Sequence, residues 1–467
     1  MTENFFKKAK NIYFIGIGGI GISAIARMMF GEGKQVSGSD SSGSEIIEAL
    51  KKAGAKIFVG HNAKNISKDV DLVIYTVAIS KENPEFLEAQ KRKIKTITYA
   101  EALHEISKDK FTIAVSGTHG KTTTTAMIAK VMIDAGLDPT VIVGSLLKES
   151  KSNFISGKSK YFVVEACEYK RSFLNIEPTI ATITNIDNDH LDYYKDIADI
   201  QSAFNEFVKK VPQKGFVVCD REDKIVSPAL SGVSGKIVNW ADFDASKLKM
   251  KVPGKHNKKD ASVALAVAHI LGIDKKKAIK SLEDFSGTWR RFEYKGETKG
   301  GAKVYDDYGH HPTEIKATLL GAREIFPKER IVVVFQPHLF SRTKLLLHDF
   351  ARAFKSADEI LLAPIFPARE AFDPTISSDI LADEIRHCHS RAGRELGLGP
   401  KRKIGARRRE MGPAGFSAEK HCGDPSPVLS FPNFPEIVTY LKKTLKKGDL
   451  LITMGAGDAY KIYDDLA

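Results

Sequence analysis

The feature that most constrains the fold is an apolar stretch that runs into a glycine-rich turn and then into a helix-forming sequence, FTIAVSGTHGKTTTT at 111–125. Glycines let the backbone close around a phosphate with its amide N–H groups pointing inward, and the N-terminus of the following helix adds a positive dipole. The segment therefore predicts a strand, a phosphate-binding loop and a helix within an α/β domain. The predicted phosphate contacts are Gly117, Thr118, His119, Gly120, Lys121, Thr122 and Thr123.

Side chains at the end of this loop indicate what it binds. Lys121 is placed to reach the β- and γ-phosphates of ATP, and Thr122 is placed to bind Mg²⁺. A hard dication needs further ligands from neighbouring strand ends. Glu165 ends one apolar run and His190 follows another, so both are candidates. The competing interpretations are a structural glycine turn and ordinary surface residues.

A second glycine-rich turn, GIGGIG, follows a predicted strand at 12–15 and precedes a predicted helix at 20–30. Asp40 ends the next strand, 19 residues after the last glycine of the turn, where an acid that binds a ribose is expected. This fingerprint fits an NAD enzyme and a UDP-sugar enzyme equally well. Two phosphate loops in one chain favour an ATP enzyme with two substrates. The predicted contacts of this turn are Gly16, Gly18, Gly19 and Gly21.

The alternation of short strands and helices starts three times along the 467 residues, which are too many for one ordinary core. We predict an α/β fold of three domains. They are an N-terminal Rossmann-like domain at 1–107, a central P-loop domain at 108–292 and a C-terminal Rossmann-like domain at 293–467. Linkers are expected at 107–110 and at 287–301, where glycine and charge are frequent.

In the third domain, His310, His338 and Arg342 follow the ends of predicted strands, where open α/β sheets place their ligands. Such side chains suit an anionic substrate and the negative charge that develops during phosphoryl transfer. Arg291 lies in the predicted second linker, where an arginine can follow the closure of two domains. A packing role for the adjacent His310 and His311 at the start of a helix is the alternative.

The net charge of +13 is compatible with a nucleic-acid binder or with an enzyme for polyanionic substrates such as nucleotides. No apolar run reaches the length of a membrane span, and the first residues do not resemble a secretory signal. Four scattered cysteines are too few for a disulfide framework, so reduced thiols are expected. We predict a cytoplasmic protein with no nucleic-acid or membrane partner.

Residues 387–427 break the α/β pattern, because they are rich in glycine, proline and arginine and contain nine basic and four acidic residues. Three interpretations are open: a flexible surface insertion, a disordered basic insert that contacts nucleic acid, and a local reading-frame error that resequencing of the locus would reveal. The segment also holds ligand types that zinc prefers, but their spacing matches no standard site. They are His387, Cys388, His389, His421 and Cys422.

Nine motifs in one order make the chain recognisable. They are GIGGIGISAIA, SGTHGKTTT, the strand that ends at Glu165, TNIDNDHLD, PGKHN, WRRFE, DDYGHHPTEI, QPHLFSRT and TMGAGD. Together they resemble the Mur ligases over nearly the whole chain except 387–427. The resemblance implies an ATP- and Mg²⁺-dependent amide ligase of peptidoglycan synthesis. Its partners are then UDP-N-acetylmuramate, L-alanine and ATP, joined through an acyl phosphate, in a monomer or a dimer.

The resemblance also implies residue roles. The turn at 16–21, Asp40 and Arg291 then bind the UDP-sugar rather than NAD. Further roles follow by position in the family motifs. Lys121 contacts the transferred phosphate, and Mg²⁺ is held by Thr122, Glu165 and His190. The adenosine is contacted by His256 and Asn257, and the reacting end of the substrate lies near His310, His338 and Arg342. The chain departs from the common pattern at three positions, Cys167, Asp260 and Leu339.

Three other functions compete with this one. A related ligase that joins a peptide to the same sugar nucleotide shares most of the motifs. An NAD oxidoreductase is compatible with the first glycine turn taken alone. A non-catalytic protein that binds nucleotides or nucleic acid is the third alternative.

Overall fold

The computed structural model describes residues 5–148, 151–368, 370–395 and 427–467. The chain forms two compact units, Met1–Trp289 and Arg290–Ala467. Two sheets lie in the first unit and one in the second, so the predicted α/β architecture with three sheets is confirmed. The exact domain boundaries stay predictions. Within the described residues, no helix combines the length and apolar content needed to cross a bilayer.

The first sheet is entirely parallel. Its strands are β1 Asn11–Ile15, β2 Gln35–Asp40, β3 Lys56–Val59, β4 Leu72–Tyr75 and β5 Lys95–Thr98, in the order β3-β2-β1-β4-β5. Alternate residues of β1 enter two separate hydrophobic cores, since Ile12 and Phe14 pack in one and Tyr13 and Ile15 in the other. Chain order reverses around β1, so a crevice opens beyond the carboxyl ends of β1 and its neighbours. The helices are α1 Phe5–Lys8, α2 Ile20–Gly31, α3 Glu45–Lys52, α4 Pro84–Lys91 and α5 Tyr99–Ser107, with a short 3-10 helix at Ala63–Asn65.

The second sheet carries the loop at 116–122. Its strands are β6 Phe111–Ser116, β7 Thr140–Leu147, β8 Ser152–Ile155, β9 Tyr161–Glu165, β10 Ile180–Ile183, β11 Phe216–Cys219 and β12 Lys236–Asn239, in the order β12-β11-β10-β6-β9-β7-β8. Only β8 runs antiparallel to its neighbour among these strands. β6 lies between β9 and β10, so the ends of both flank the loop, as predicted. The helices are α6 Lys121–Asp134, α7 Ile197–Val208, α8 Lys255–Ile270 and α9 Lys275–Asp284, with 3-10 helices at Tyr169–Asn175, Ser227–Leu230 and Trp240–Asp242.

The third sheet forms the core of the second unit. Its strands are β13 Glu293–Glu297, β14 Lys303–Asp307, β15 Ile331–Phe335, β16 Glu359–Leu362, β17 Val428–Ser430 and β18 Leu450–Met454, in the order β13-β14-β18-β15-β16-β17. β15 and β18 are buried along their whole length. Parallel strands that are covered on both faces consist almost entirely of apolar residues, which explains the sequences of these two strands. The helices are α10 Pro312–Ile325, α11 Phe340–Leu345, α12 Leu347–Ala353, α13 Ser378–Glu395, α14 Phe434–Thr444 and α15 Ile462–Leu466, with a 3-10 helix at Ala459–Lys461.

Two predictions about irregular segments are wrong in part. The stretch at 287–301 is not only a linker, since β13 lies within it and pairs antiparallel with β14. This strand is at the sheet edge and has polar residues, which gave it the composition of a linker. The segment predicted to be irregular from residue 387 is helical as far as Glu395, and Cys388 packs against the core of the second unit. Residues 396–426, which include His421 and Cys422, lie outside the described residues.

Candidate active site

The turn at 116–122 has a backbone that favours glycine at two positions and leaves no room there for a Cβ atom. Gly117 has a φ of +132°, and a Cβ atom there would lie 2.0 Å from the Thr184 hydroxyl oxygen. Gly120 has a φ of +82°, and a Cβ atom there would lie 2.5 Å from Asp260 Oδ1. The Thr118 amide donates to the Asn185 carbonyl over 3.0 Å, which fixes the turn to the segment after β10. The turn is therefore tightly held on both sides.

Helix α6 begins directly at the turn. Gly120 is its N-cap residue and has no side chain with which to cap it. Thr122 and Thr123 are buried in the first turn of the helix. The N-terminal amide groups and the positive end of the helix dipole therefore face the region where a phosphate is predicted.

Lys121 is held by a carboxylate that the sequence analysis missed. Its ammonium donates to Glu168 Oε1 over 3.0 Å and to the carbonyls of Gly117 and Thr118 over 2.6 and 3.0 Å. The side chains of Lys121 and Glu168 are only 13% and 2% exposed. Burial alone would lower the pKa of Lys121, but the combined effect of Glu168, Cys167 and Glu165 outweighs it and raises that pKa above its ordinary range. The lysine is thus a fixed positive charge beside the phosphate loop.

Thr122 and Glu165 are brought together as predicted. The Thr122 hydroxyl donates to Glu165 Oε2 over 2.9 Å. The backbone amide of Gly144, on β7, donates to the same oxygen over 2.8 Å. Two donors on one oxygen fix the carboxylate, so a hydroxyl oxygen and a carboxylate oxygen lie side by side at the end of β9 and the start of α6.

His190 lies near the same group of residues. Its Nε2 is 3.8 Å from Glu168 Oε1, and its ring is 4.8 Å from the ring of Tyr169. On the other side of the turn, His119 Nε2 lies 3.1 Å from Asp187 Oδ2. Glu168 therefore stands between the loop lysine and the predicted metal-binding histidine.

The residues predicted to contact the adenosine lie at the start of α8. Asn257 is buried and its side-chain amide donates to the Pro253 carbonyl over 2.5 Å. His256 packs beside Gly254 at the helix N-terminus. Asp260, one turn further on, contacts Gly120 of the phosphate loop. The start of α8 is thus connected directly to the turn that precedes α6.

A separate cleft of about 680 Å³ opens at the carboxyl edge of the first sheet. The lining residues predicted from the sequence are Gly16, Gly18, Gly19 and Asp40. In the structure, Asp40 Oδ2 accepts a hydrogen bond of 2.9 Å from the amide of Gly18. Gly21 instead packs against the ring of Tyr99, where a Cβ atom would lie 2.7 Å from the ring. This is the close helix packing expected of the last glycine of the fingerprint.

In the second unit, Arg290 and Asp306 form a buried ion pair with 2.7 Å between Arg290 Nε and Asp306 Oδ2. The other guanidinium nitrogens donate to the carbonyls of Gly455 and Gly457 over 2.6 and 3.1 Å. Asp307 accepts hydrogen bonds from the amides of Gly309 and Phe292. Burial nevertheless raises the pKa of Asp307 to about 6, although the charge of Arg291 opposes the shift. These contacts fix the segment after β14.

Three of the predicted catalytic residues are neighbours within the second unit. The rings of His310 and His338 are 5.4 Å apart, and Arg342 Nη1 lies 2.9 Å from His338 Nδ1. The ring of His338 also stacks on that of Phe366 at 5.7 Å. The guanidinium of Arg291 lies 5.3 Å from the ring of Tyr308. The carboxyl edge of the third sheet therefore presents a group of nitrogen-bearing side chains suited to anions.

The strand pattern pointed to Glu165, which ends the strand, and not to Glu168. The available signal was a second acid three residues later, in the run EACE. Cys167, noted as a departure from the family pattern, is exposed, whereas Glu168 beside it is buried. The three cysteines in the described part of the chain, Cys167, Cys219 and Cys388, are free thiols.

Three domain profiles of one protein family match successive parts of this chain. Residues 11–111 match the profile of the Mur ligase family catalytic domain. Residues 115–239 match the Mur ligase middle domain, and residues 290–457 match the Mur ligase glutamate ligase domain. The three matches cover most of the chain and fall in turn on the three sheets.

Individual relatives extend over the whole chain. It is 41% identical to UDP-N-acetylmuramate–L-alanine ligase of Clostridium tetani over 99% of both chains, and 42% identical to that of Clostridium kluyveri over 98% of both. The crystal structure of UDP-N-acetylmuramate-alanine ligase from Thermotoga maritima matches with a TM-score of 0.74 and 28% identity over 98% of both chains. A murein peptide ligase from Psychrobacter arcticus shares the fold, with a TM-score of 0.69 and 22% identity.

Proposed function

The chain belongs to the Mur ligase family, and from this membership we propose that it is an ATP-dependent amide ligase. Its reaction joins L-alanine to the lactyl carboxylate of UDP-N-acetylmuramate, which is the activity named for relatives at 41% and 42% identity. The observation that supports it most directly is the loop where Lys121, Thr122 and Glu165 meet at the start of α6.

Ligation proceeds in two steps. A carboxylate oxygen of UDP-N-acetylmuramate attacks the γ-phosphorus of ATP, the bond to the β–γ bridging oxygen breaks, and ADP and an acyl phosphate form. The L-alanine amine then attacks the acyl carbon, and phosphate leaves from the tetrahedral intermediate while the amine proton is released. The protein contributes mainly positioning and neutralisation of charge.

Lys121 and the loop amides carry the phosphoryl-transfer step. The lysine stays charged because Glu168 lies 3.0 Å from its ammonium, so it can balance the charge on the γ-phosphate as ADP leaves. The unsatisfied amide groups at the start of α6 bind phosphate oxygens. His256 and Asn257, at the start of α8, then contact the adenosine.

We assign Mg²⁺ to Thr122 and Glu165, with His190 as a further ligand. The fit rests on the donor set, because a hydroxyl oxygen and a carboxylate oxygen are 2.9 Å apart at this point and both are ligands that a hard dication prefers. When bound, Mg²⁺ neutralises the phosphate charge of the nucleotide.

The remaining predicted residues receive roles by family position. The turn at 16–21 and Asp40 bind the UDP moiety, and Arg291 contacts the same substrate. His310, His338 and Arg342 stabilise the anionic reacting end, because their nitrogen-bearing side chains lie together.

The reaction is placed in the cytoplasm, where ATP and nucleotide sugars are available, as a step of peptidoglycan synthesis. We propose no nucleic-acid or membrane partner and a monomer or a dimer. The domain limits are proposed at 1–107, 108–292 and 293–467.

The test is release of phosphate by purified protein with ATP, Mg²⁺ and UDP-N-acetylmuramate. We expect release that depends on L-alanine, together with one new amide bond for each phosphate. Release with a tripeptide but not with L-alanine would identify the peptide-joining ligase instead. Release with neither, or a change in nicotinamide absorbance without ATP turnover, would refute the proposal.

A further inference from the structure

A buried carboxylate lies beneath the cleft of the first sheet. Glu85, in the first turn of α4, is 0% exposed. Its carboxylate is surrounded by five donors from three neighbouring segments, which are β1, β2 and the stretch at 61–65. The donors are the Tyr13 hydroxyl at 2.9 Å, the Asn65 side-chain amide at 2.7 Å, the Asn62 backbone amide at 3.1 Å, the Ser39 hydroxyl at 2.5 Å and His61 Nδ1 at 3.1 Å. Such complete satisfaction shows that the site is built to hold a carboxylate.

A buried carboxylate is costly unless an opposite charge is near it. Of the five donors, His61 is the only side chain that can become a cation at ordinary pH. The other titratable partner, Tyr13, stays neutral, because burial raises its pKa above the ordinary range. Glu85 and His61 therefore form the one pair in this network that can be an ion pair.

His61 connects this network to the cleft. Its side chain is 22% exposed and lines the cleft. Its Nδ1 is turned inward, 3.1 Å from Glu85 Oε2 and 3.0 Å from the Ser39 hydroxyl. The second ring nitrogen, Nε2, is therefore the one available to a ligand.

The charges around the cleft make His61 important. Its lining contains two carboxylates, Asp40 and Glu82, and within the described residues it contains no lysine or arginine. A nucleoside diphosphate linked to a sugar brings two further negative charges. His61 is thus the one lining side chain in the described chain that can supply a positive charge to the diphosphate.

Ser, His and Glu also occur together in hydrolases, but this arrangement does not fit that chemistry. A catalytic histidine contacts the serine and the acid through different ring nitrogens. Here Ser39 and Glu85 both contact Nδ1, and Ser39 is fully buried. The network positions a histidine and does not activate a serine.

We propose that His61 binds a diphosphate oxygen of the UDP-sugar through Nε2–H, and that Glu85 is a positioning residue that holds the imidazole and balances its charge. Binding of the sugar nucleotide is then linked to protonation of His61. The acids around His61 are Glu85 from α4, which contacts its Nδ1, and two that line the same cleft, Asp40 from the end of β2 and Glu82 from the loop before α4. The identity of the ligand rests on the ligase function proposed above.

The test is calorimetric titration of the full chain with UDP-N-acetylmuramate at pH 6 and pH 8, a range in which the diphosphate of the ligand stays fully ionised. For the unaltered protein we expect binding about tenfold tighter at pH 6, the lower range for a hydrogen bond to a charged group. The heat of binding at a pH between these values should depend on the ionisation enthalpy of the buffer, which shows that the complex takes up a proton when the sugar nucleotide binds. Binding by His61→Gln should be weaker at pH 6 and independent of pH.

Glu85→Gln should also lose the pH dependence, because the imidazolium loses its counter-charge. Glu88→Gln, one turn further along the same helix and partly exposed, is the matched control and should bind as the unaltered protein does. The affinity for ATP should change less than twofold in every variant. If Glu85→Gln does not fold, the test depends on His61→Gln. The side chain of His61 is partly exposed at the cleft surface, so its replacement should disturb the fold less.

Two outcomes would overturn the inference: equal binding of the unaltered protein at both pH values, or a pH dependence that persists in His61→Gln. Either result is compatible with normal alanine-dependent phosphate release, in which case the ligase function stands. Protein that binds UDP-N-acetylmuramate with the expected pH dependence but releases no phosphate would contradict the ligase function and support the inference.

Discussion

The pair of Lys121 and Glu168 predicts separate effects on activity and on stability. Replacement by Lys121→Met removes the charge that balances the transferred phosphate. We expect kcat for alanine-dependent phosphate release to fall about 10²- to 10³-fold, the usual loss when one electrostatic stabiliser of a transition state is removed. Retention of full activity would show that the loop is not the phosphoryl-donor site.

The same replacement leaves Glu168 without its cation at 2% exposure. Breaking a buried pair by removing one partner costs about 3–5 kcal/mol. We take the lower end, about 3 kcal/mol, because Lys121 is 13% exposed and water can approach the pair. The double variant Lys121→Met/Glu168→Gln should regain part of this lost stability, since neither of these two positions then carries an unpaired charge. It should stay inactive.

Urea unfolding of the unaltered protein, Lys121→Met, Glu168→Gln and the double variant measures the coupling free energy between the side chains of Lys121 and Glu168. The control is Lys130→Met on the same helix, whose ion pair with Asp134 spans one turn. Its loss should cost about 0.5 kcal/mol or less. A double variant no more stable than Lys121→Met would refute the assignment of Glu168 as the counter-charge of the lysine.

Three further predictions test the metal site and the second unit. Glu165→Gln should raise the Mg²⁺ concentration needed for half-maximal activity about 10- to 100-fold, because an amide nitrogen can replace the oxygen beside Thr122; an unchanged Mg²⁺ titration would exclude this residue as a ligand. Asp307 has a raised pKa of about 6 against 3.8, so the folded state holds its proton longer and stability falls as pH rises through this range. The unfolding free energy of the unaltered protein relative to Asp307→Asn should therefore drop by up to about 3 kcal/mol between pH 4 and pH 7, and a constant difference would contradict the shift. Arg290→Lys should lower the unfolding free energy of the second unit by about 3 kcal/mol, since one ammonium cannot replace the contacts to Asp306 and two carbonyls; a transition unchanged in urea would contradict this.

The parts of the fold that the sequence predicted are those in which local sequence determines structure. The phosphate loop is contiguous in sequence, so its strand, glycines and helix could be recognised together. The strand at 293–297 was missed because an edge strand has polar residues and depends on pairing with β14. Glu168 was missed for another reason. The run EACE shows a second acid, but the ion pair joins residues 47 positions apart, so the run alone does not reveal that this acid contacts Lys121.

The two nucleotide sites of the first unit share one electrostatic arrangement. In each, a side chain that can carry positive charge is held by a carboxylate that is buried almost completely: Lys121 by Glu168 and His61 by Glu85. Loss of the partner would leave a buried acid unpaired and would destabilise the fold. The buried acid therefore holds each cation in place even before a ligand binds. The difference lies in the cation, because lysine is charged at every physiological pH whereas histidine changes charge within it. Lys121 is therefore expected to add no pH dependence of its own to ATP binding over the range in which His61 changes the affinity for the sugar nucleotide. Titrations of the unaltered protein and of Lys121→Met with ATP at pH 6 and pH 8 measure this, because the terminal phosphate of ATP and the histidines of the site ionise in both proteins.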